Sequence, residues 1–425
     1  MPFGMFRSHY SPILADFGSS GVKLVQTTVG DLPTIAAAAF LPFSDDLRGR
    51  PVEERFEFLA RELPEVLREN HFRGNRLVLA PFSQHMLVQH IGVPSGDAER
   101  AESVIRLQIA IGLGCDPDAL VVRTSEVCET TRDGTAKVEH ISFAMSRDDV
   151  MRYVELARRT KLKVVGVHGE ISALVHAFDH VNRRAEDENI ATMYVDLGYG
   201  GTKVAICHGA KLVFAKSISI AGRTIDTRLA EIRRCSLADA RAARLAEGIK
   251  PIRIGAPGAM NAAPAASAMD GGMAILRAAA AKIENENNVA VIGSGGASAV
   301  ATDRRGPGSA PALGASVPAD AARSVTSEAR ETVESLADEL SMCTRYHGSL
   351  FRDRRIDRVV FLGGEARDTG LCQSLASGLR LPAKVGDPMA RFLVNGAAPK
   401  GLPDPQSSHP GWAVACGLAS SPTDL

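Results

Sequence analysis

Aromatic side chains are scarce: they make up 5% of the 425 residues, and Trp412 is the single tryptophan. That density argues against a stacking platform for single-stranded nucleic acid. No sign of charge is in excess, since 49 Lys and Arg balance 49 Asp and Glu. A protein holding nucleic acid over a broad surface needs a basic excess to displace counterions from phosphates, so only local patches remain open. The seven cysteines form no CxxC motif and are odd in number. They offer no zinc signature and no disulfide framework, which fits a reducing compartment. No apolar run approaches the roughly 20 residues that a membrane-spanning helix needs. The longest, Ile35 to Leu41, is mostly alanine. The opening segment carries Arg7 and His9 and lacks a continuous apolar stretch, so a secretory signal peptide is not expected. These absences point to a cytoplasmic protein whose membrane attachment comes through a partner.

What is present is an ordinary globular mix, 45% hydrophobic and 23% charged. At roughly 150 residues per domain the length suggests two or three domains. The chain contains a diverged repeat. Asp16-Phe-Gly-Ser-Ser-Gly-Val-Lys23 and Asp196-Leu-Gly-Tyr-Gly-Gly-Thr-Lys203 share Asp, Gly, Gly and Lys at the same offsets. Each copy follows an apolar stretch and precedes a β-prone one, which reads as strand, glycine turn, strand. A two-fold repeat of this kind predicts two related α/β halves.

Between the copies, Phe56, Leu59, Leu63, Val66 and Leu67 give Phe56 to Asn70 a helical period. Helices are also predicted over Asp97 to Gly112, Arg147 to Thr160 and Glu170 to Arg183. Strands are predicted at Leu77 to Ala80, Leu120 to Thr124, Val138 to Ala144 and Val164 to Val167, with a hairpin signal at Asp133-Gly134. Residues 84–165 thus read as a βαββα unit embedded in the first half. Beyond the second copy, helices are predicted at Thr224 to Arg233, Leu237 to Glu247 and Ser324 to Tyr346. The strand Val359 to Leu362 runs into Gly363-Gly364 and a helix at Leu371 to Leu379. Ala, Gly, Pro and Ser dominate 255–320, which reads as a disordered insertion. The predicted division is 1–83, the embedded unit 84–165, a return to the first half at 166–190, the second half at 191–254, the insertion, and 321–425.

Asp-x-Gly followed by small residues and Lys is a phosphate-cradling design. Glycines let backbone N–H groups approach an anion and form a concave nest. The candidate residues are Asp16, Gly18, Ser19, Ser20, Gly21 and Lys23, and Asp196, Gly198, Gly200, Gly201, Thr202 and Lys203. Asp16 and Asp196 would hold Mg²⁺ mostly through water, as suits a strongly hydrated ion. Two surface hairpins are the alternative reading. No GxxxxGK[ST] occurs, so this is not a Walker loop. Gly363-Gly364-Glu365 offers a strand–glycine turn–helix against which a base or sugar can lie.

These motifs, in this order, resemble the actin-like ATPase superfamily, which includes FtsA and MreB, and within it the PilM family of type IV pilus assembly proteins. Four stretches carry the resemblance: Ala15 to Val25, Arg147 to Glu170, Val213 to Gly222, and Val359 to Pro388. It covers most of the chain outside 255–320. The chain departs from the usual pattern at Glu365, in place of a third glycine, and at Ile171, where a proline is common. The resemblance implies two duplicated halves with an embedded interaction subdomain, ATP and Mg²⁺ as ligands, and at most a weak ATPase. It adds Gly222 to the nucleotide residues and makes Glu170 the candidate for orienting an attacking water. It implies a scaffold for type IV pilus or related type II secretion assembly, peripheral at the inner membrane. The partner would be the tail of a PilN-type single-span protein, bound at Ser83 to Val93 and Asp97 to Gly112. Other pilus platform proteins and self-association are further partners to test. Alternatives are an FtsA-like division protein, weakened by an ending without a basic amphipathic face, and a small-molecule kinase.

Overall fold

The computed structural model describes residues 9–30, 33–132, 134–182, 184–254, 324–392, 401–402, 404 and 407–421. The insertion expected at 255–320 lies outside the described residues.

The first half opens with β1 (Ile13–Gly18), β2 (Gly21–Thr27) and β3 (Ile35–Pro42), an antiparallel meander. Helices α1 (Asp45–Gly49) and α2 (Val52–Glu69) lead to β4 (Arg76–Ala80), parallel to β1. Phe56, Leu59, Leu63 and Leu67 of α2 recur every three or four residues and are buried in the first-half core. Glu53 and Glu54 in its first turn and Arg68 in its last complement the helix dipole.

The chain then leaves the first sheet. β5 (Leu87–Pro94), α3 (Ala101–Leu113), β6 (Leu120–Arg132) and β7 (Thr135–Ser146) form a separate antiparallel sheet, ordered β5-β7-β6, with its own apolar core. Register places Arg132 opposite Thr135, and Gly134 between them takes a φ of 74°, as a two-residue hairpin requires. α4 (Arg147–Arg159), capped by Ser146, and β8 (Lys163–Val167) return to the first half. From β5 to α4 the elements keep the βαββα order expected for 84–165, with α4 turned toward the first half. β8 is hydrogen-bonded to β4, and α4 buries Tyr153 and Leu156 in the first-half core. Helix α5 (Glu170–His176) is shorter than the predicted helix. After Ala177 the chain leaves the α-helix for a 3₁₀ turn at Asp179–Val181.

The second half repeats the first. β9 (Ala191–Leu197), β10 (Thr202–His208) and β11 (Lys211–Ile218) are an antiparallel meander. α6 (Gly222–Arg233), α7 (Leu237–Glu247) and α8 (Val325–Leu350) lead to β12 (Arg358–Leu362), parallel to β9. α9 (Thr369–Leu379) crosses to β13 (Ala383–Val385), and α10 (Ala413–Leu418) follows. The two sheets run β3-β2-β1-β4-β8 and β11-β10-β9-β12-β13, the same order with the same senses. Their central strands are buried on both faces, which is why they read as continuous apolar runs.

The halves join where α5 crosses α10. A Cβ on Gly417 would lie 1.6 Å from the Ala173 carbonyl oxygen, so only glycine allows this approach.

Candidate functional site

The register of the two meanders fixes the site. Asp16 is directly opposite Lys23 across β1 and β2, and Asp196 is opposite Lys203 across β9 and β10. Lys23 Nζ lies 3.3 Å from Asp16 Oδ2, and Lys203 Nζ lies 3.6 Å from Asp196 Oδ2. Lys203 also reaches Glu170 Oε1 at 3.2 Å. Glu170 opens α5, and its Oε2 accepts a hydrogen bond from Ser83 Oγ at 2.5 Å.

Five charges thus meet in one buried cluster, three carboxylates against two ammonium groups. Burial raises the carboxyl pKa values of Glu170 and Asp196, with Lys203 opposing the rise. Burial also works against the Lys203 ammonium, but Glu170, Asp196 and Asp16 outweigh it and hold Lys203 above its ordinary value. Lys203 is therefore charged at neutral pH, and the cluster has an unmatched negative charge when all its carboxyls are ionised. Such a cluster suits a cation. Among the described residues no group of three or more His, Cys, Asp or Glu is arranged to hold a metal directly. Asp16 and Asp196 fit only a water-separated ion.

These residues line a cavity of about 630 Å³. Of the residues singled out in the sequence, Asp16, Gly18, Ser19, Ser20, Lys23, Glu170, Asp196, Gly198, Lys203, Gly363, Gly364 and Glu365 line it. Five others do not, and they shape its walls instead. Gly21 packs against Leu41 and Pro42, Gly201 accepts from the Gly198 amide, and Thr202 Oγ1 donates to the Ile220 carbonyl. Gly200 meets the other loop, since a Cβ there would lie 2.6 Å from Ser19 Oγ. Gly222 faces the Glu365 side chain.

Across the cavity the chain turns sharply after β12. Gly363 has a φ of 88°, and a Cβ there would lie 2.2 Å from the Leu197 carbonyl oxygen, so glycine is required. Glu365 does not stand free. Arg244 of α7 donates to Glu365 Oε2 at 2.6 Å and to Asp226 Oδ1 of α6 at 2.5 Å, all three being buried. Burial raises the Asp226 carboxyl, while hydrogen bonds and ion pairs with Asp226 and Glu365 overcome burial and raise Arg244. The departure from glycine is thus matched by a dedicated arginine that fastens the turn to α6 and α7.

Motif reasoning missed Ser83, Arg48, Tyr199, Arg241, Arg244, Lys250, Arg367 and Trp412, all but Ser83 lining the cavity. Tyr199 lies inside the second motif but at a position the two copies do not share; the others come from elements far apart in sequence, and no local spacing marks them. Trp412 stands out as the sole tryptophan, which is a signal of type and not of place.

No protein-family model matches the chain, and no curated protein matches it in sequence. Solved structures do. The fold is similar to that of a chain in a structure described as a PilM-PilN type IV pilus biogenesis complex. The TM-score is 0.65 at 17% identity, and 97% of this chain and 98% of that chain are covered. Weaker likenesses include the ethanolamine utilization protein EutJ from Carboxydothermus hydrogenoformans, with a TM-score of 0.45 at 12% identity over 98% of this chain and 90% of that one. MreB5 of Spiroplasma citri, bound to ADP, gives 0.40 at 12% identity over 96% and 94%. On the matching sheet orders, the paired loops and the first of these superpositions, the chain has the actin-like ATPase fold.

Proposed function

We propose that the chain binds ATP with Mg²⁺ between its two loops and acts as a scaffold in type IV pilus or related type II secretion assembly. The observation that carries this is the matched Asp16–Lys23 and Asp196–Lys203 pairs across one cavity. Ser19 and Ser20, with the loop amides, offer donors to a phosphate chain. Gly363, Gly364 and Trp412 offer a surface for the nucleoside. When bound, Mg²⁺ would neutralise phosphate charge and offset the surplus of carboxylates at Asp16, Asp196 and Glu170. Both oxygens of Glu170 are engaged, by Lys203 and by Ser83. A water-orienting role requires one contact to be released, which favours slow turnover and a scaffold over a fast ATPase.

The likeness to a chain of the PilM-PilN complex supports a partner of the PilN type, an inner-membrane protein whose cytoplasmic tail this chain would dock. Among the described residues no helix is long and apolar enough to cross a membrane. Attachment through such a tail would place the protein at the cytoplasmic face of the inner membrane. The docking surface we favour lies on the embedded sheet and α3, where Leu107 and Ile111 are 51% and 72% exposed one turn apart. Pull-down of the whole chain by the N-terminal peptide of a single-span partner tests this. Leu107→Glu with Ile111→Glu should abolish capture. Undiminished capture would move the surface elsewhere.

A further inference from the structure

The loop lysines are already committed to acids. Lys23 pairs with Asp16, and Lys203 with Glu170 and Asp196. A polyphosphate entering the cavity needs cations that are less fully matched. Two arginines meet this need, one from each half. Arg48 lies on α1 of the first half and Arg241 on α7 of the second, and both line the cavity. Both guanidinium groups stack on the ring of Tyr199 in the second loop, at 5.4 and 4.5 Å from its centroid.

One carboxylate serves both. Asp45 Oδ1 lies 2.5 Å from Arg48 Nη1 and 3.8 Å from Arg241 Nη1. Two cations therefore share one anion. Nε of Arg48 and Nη1 of Arg241 are buried and have no hydrogen-bond partner. A buried N–H left in this state is costly, and an anionic acceptor would relieve it.

The surroundings fix the arginines in place. Arg55 donates to the carbonyl oxygens of Leu47, Arg48 and Arg50 at 3.4, 2.8 and 3.4 Å, which fastens α1. Arg223, from the second half, donates to the Arg48 carbonyl oxygen at 3.3 Å. Tyr199 sits at the tip of its loop beside Gly200, where the two loops touch through Ser19. The arginines therefore stand against the second loop, Arg241 one turn before the Arg244 that holds Glu365.

We propose that Arg48 and Arg241 form a clamp across the cleft that grips the outer phosphate of a nucleoside triphosphate and draws the halves together. The clamp rests on the nucleotide reading and extends it. It makes closure depend on the third phosphate. A diphosphate, which lacks that group, leaves the arginines on Asp45.

The test is titration of the full chain with MgATP, MgADP and adenosine, followed by calorimetry or by Trp412 fluorescence. The wild type should prefer MgATP to MgADP. Arg48→Ala and Arg241→Ala should each cut that preference about tenfold, the loss of roughly one charge-assisted contact, and leave adenosine affinity unchanged. Asp45→Asn removes the competing carboxylate and should sharpen the preference, which a merely structural role would not do. Melting in the absence of nucleotide checks that each variant folds. If an alanine variant does not, Arg→Lys at the same position should retain part of the preference. An unchanged ATP-to-ADP ratio in both arginine variants overturns the clamp while nucleotide binding stands. No binding of any nucleotide by the wild type overturns the nucleotide reading, and the clamp with it.

Discussion

Glu170 and Lys203 meet at 3.2 Å from opposite halves of the molecule, one at the start of α5 and the other on β10. The pair is buried, and Lys203 also serves Asp196. The ion pair therefore ties the halves together at the floor of the cavity. Removing one partner of a buried pair leaves an uncompensated charge, which costs far more than the pair contributes.

Lys203→Met accordingly leaves Glu170 and Asp196 buried without their cation. We expect a loss of about 3–5 kcal/mol in folding stability, read by urea denaturation at pH 7. That loss is partly recovered in Lys203→Met with Glu170→Gln, because one unpaired carboxylate is gone. A single variant as stable as the wild type would mean that the carboxylates are already neutral.

Arg244→Met makes a similar prediction at the other wall. It strands Asp226 and Glu365, both buried on the same guanidinium. The melting temperature should fall sharply, and adding Asp226→Asn should restore part of it. An unaltered melting temperature would show that the turn at Gly363 holds without this network.

Acid stability should depend on a histidine pair far from the cleft. His208 and His347 are buried with Nε2 atoms 2.9 Å apart, so one donates and the other accepts. Burial, then the neighbouring His347, Arg354 and Lys211, lowers His208 to about 4, against a small opposing effect of Asp357. Burial and Arg354 lower His347 as well. A depressed histidine is neutral in the fold and binds a proton more readily when unfolded. Its stabilising contribution is present above the unfolded value near 6.5 and is lost as pH falls from there toward about 4. His208→Gln should flatten the decline in stability between pH 6.5 and 4.5 relative to the wild type. Parallel curves would remove the pair from the acid response.

The helix crossing between the halves gives a steric prediction. Gly417→Ala places a methyl group against the Ala173 carbonyl, which must force α5 and α10 apart. Overpacking of this kind typically costs about 1–3 kcal/mol. A melting temperature within error of the wild type would mean that the crossing is looser than described.

The parts of this molecule legible in sequence are those whose physics is local. Asp-x-Gly turns, the Phe56–Leu67 stripe and the Val359–Leu362 strand each carry their own period or turn chemistry, and each forms where expected. β8 was readable as a strand but not as a neighbour of β4, because strand pairing across 82 intervening residues leaves no local mark. Glu365 reads in the sequence only as a departure from a third glycine. Its partner Arg244 is 121 positions away, and only the packing of α7 on the turn brings them together. The stretch Ser83 to Val93, expected to hold a partner's tail, does not begin as strand at Ser83. Ser83 instead opens a 3₁₀ turn anchored by the hydrogen bond from the Phe82 amide to Tyr153, which aims the Ser83 hydroxyl at Glu170.

The central claim, a nucleotide held between the twin loops, is tested most directly by melting the full chain with and without MgATP. At about 100 times its dissociation constant, one bound ligand stabilises the folded state by about 2.7 kcal/mol. The wild type should show a rise in melting temperature of that order, and folded Asp196→Ala should lose most of it. A wild-type melting temperature unmoved by MgATP at millimolar concentration would contradict the claim.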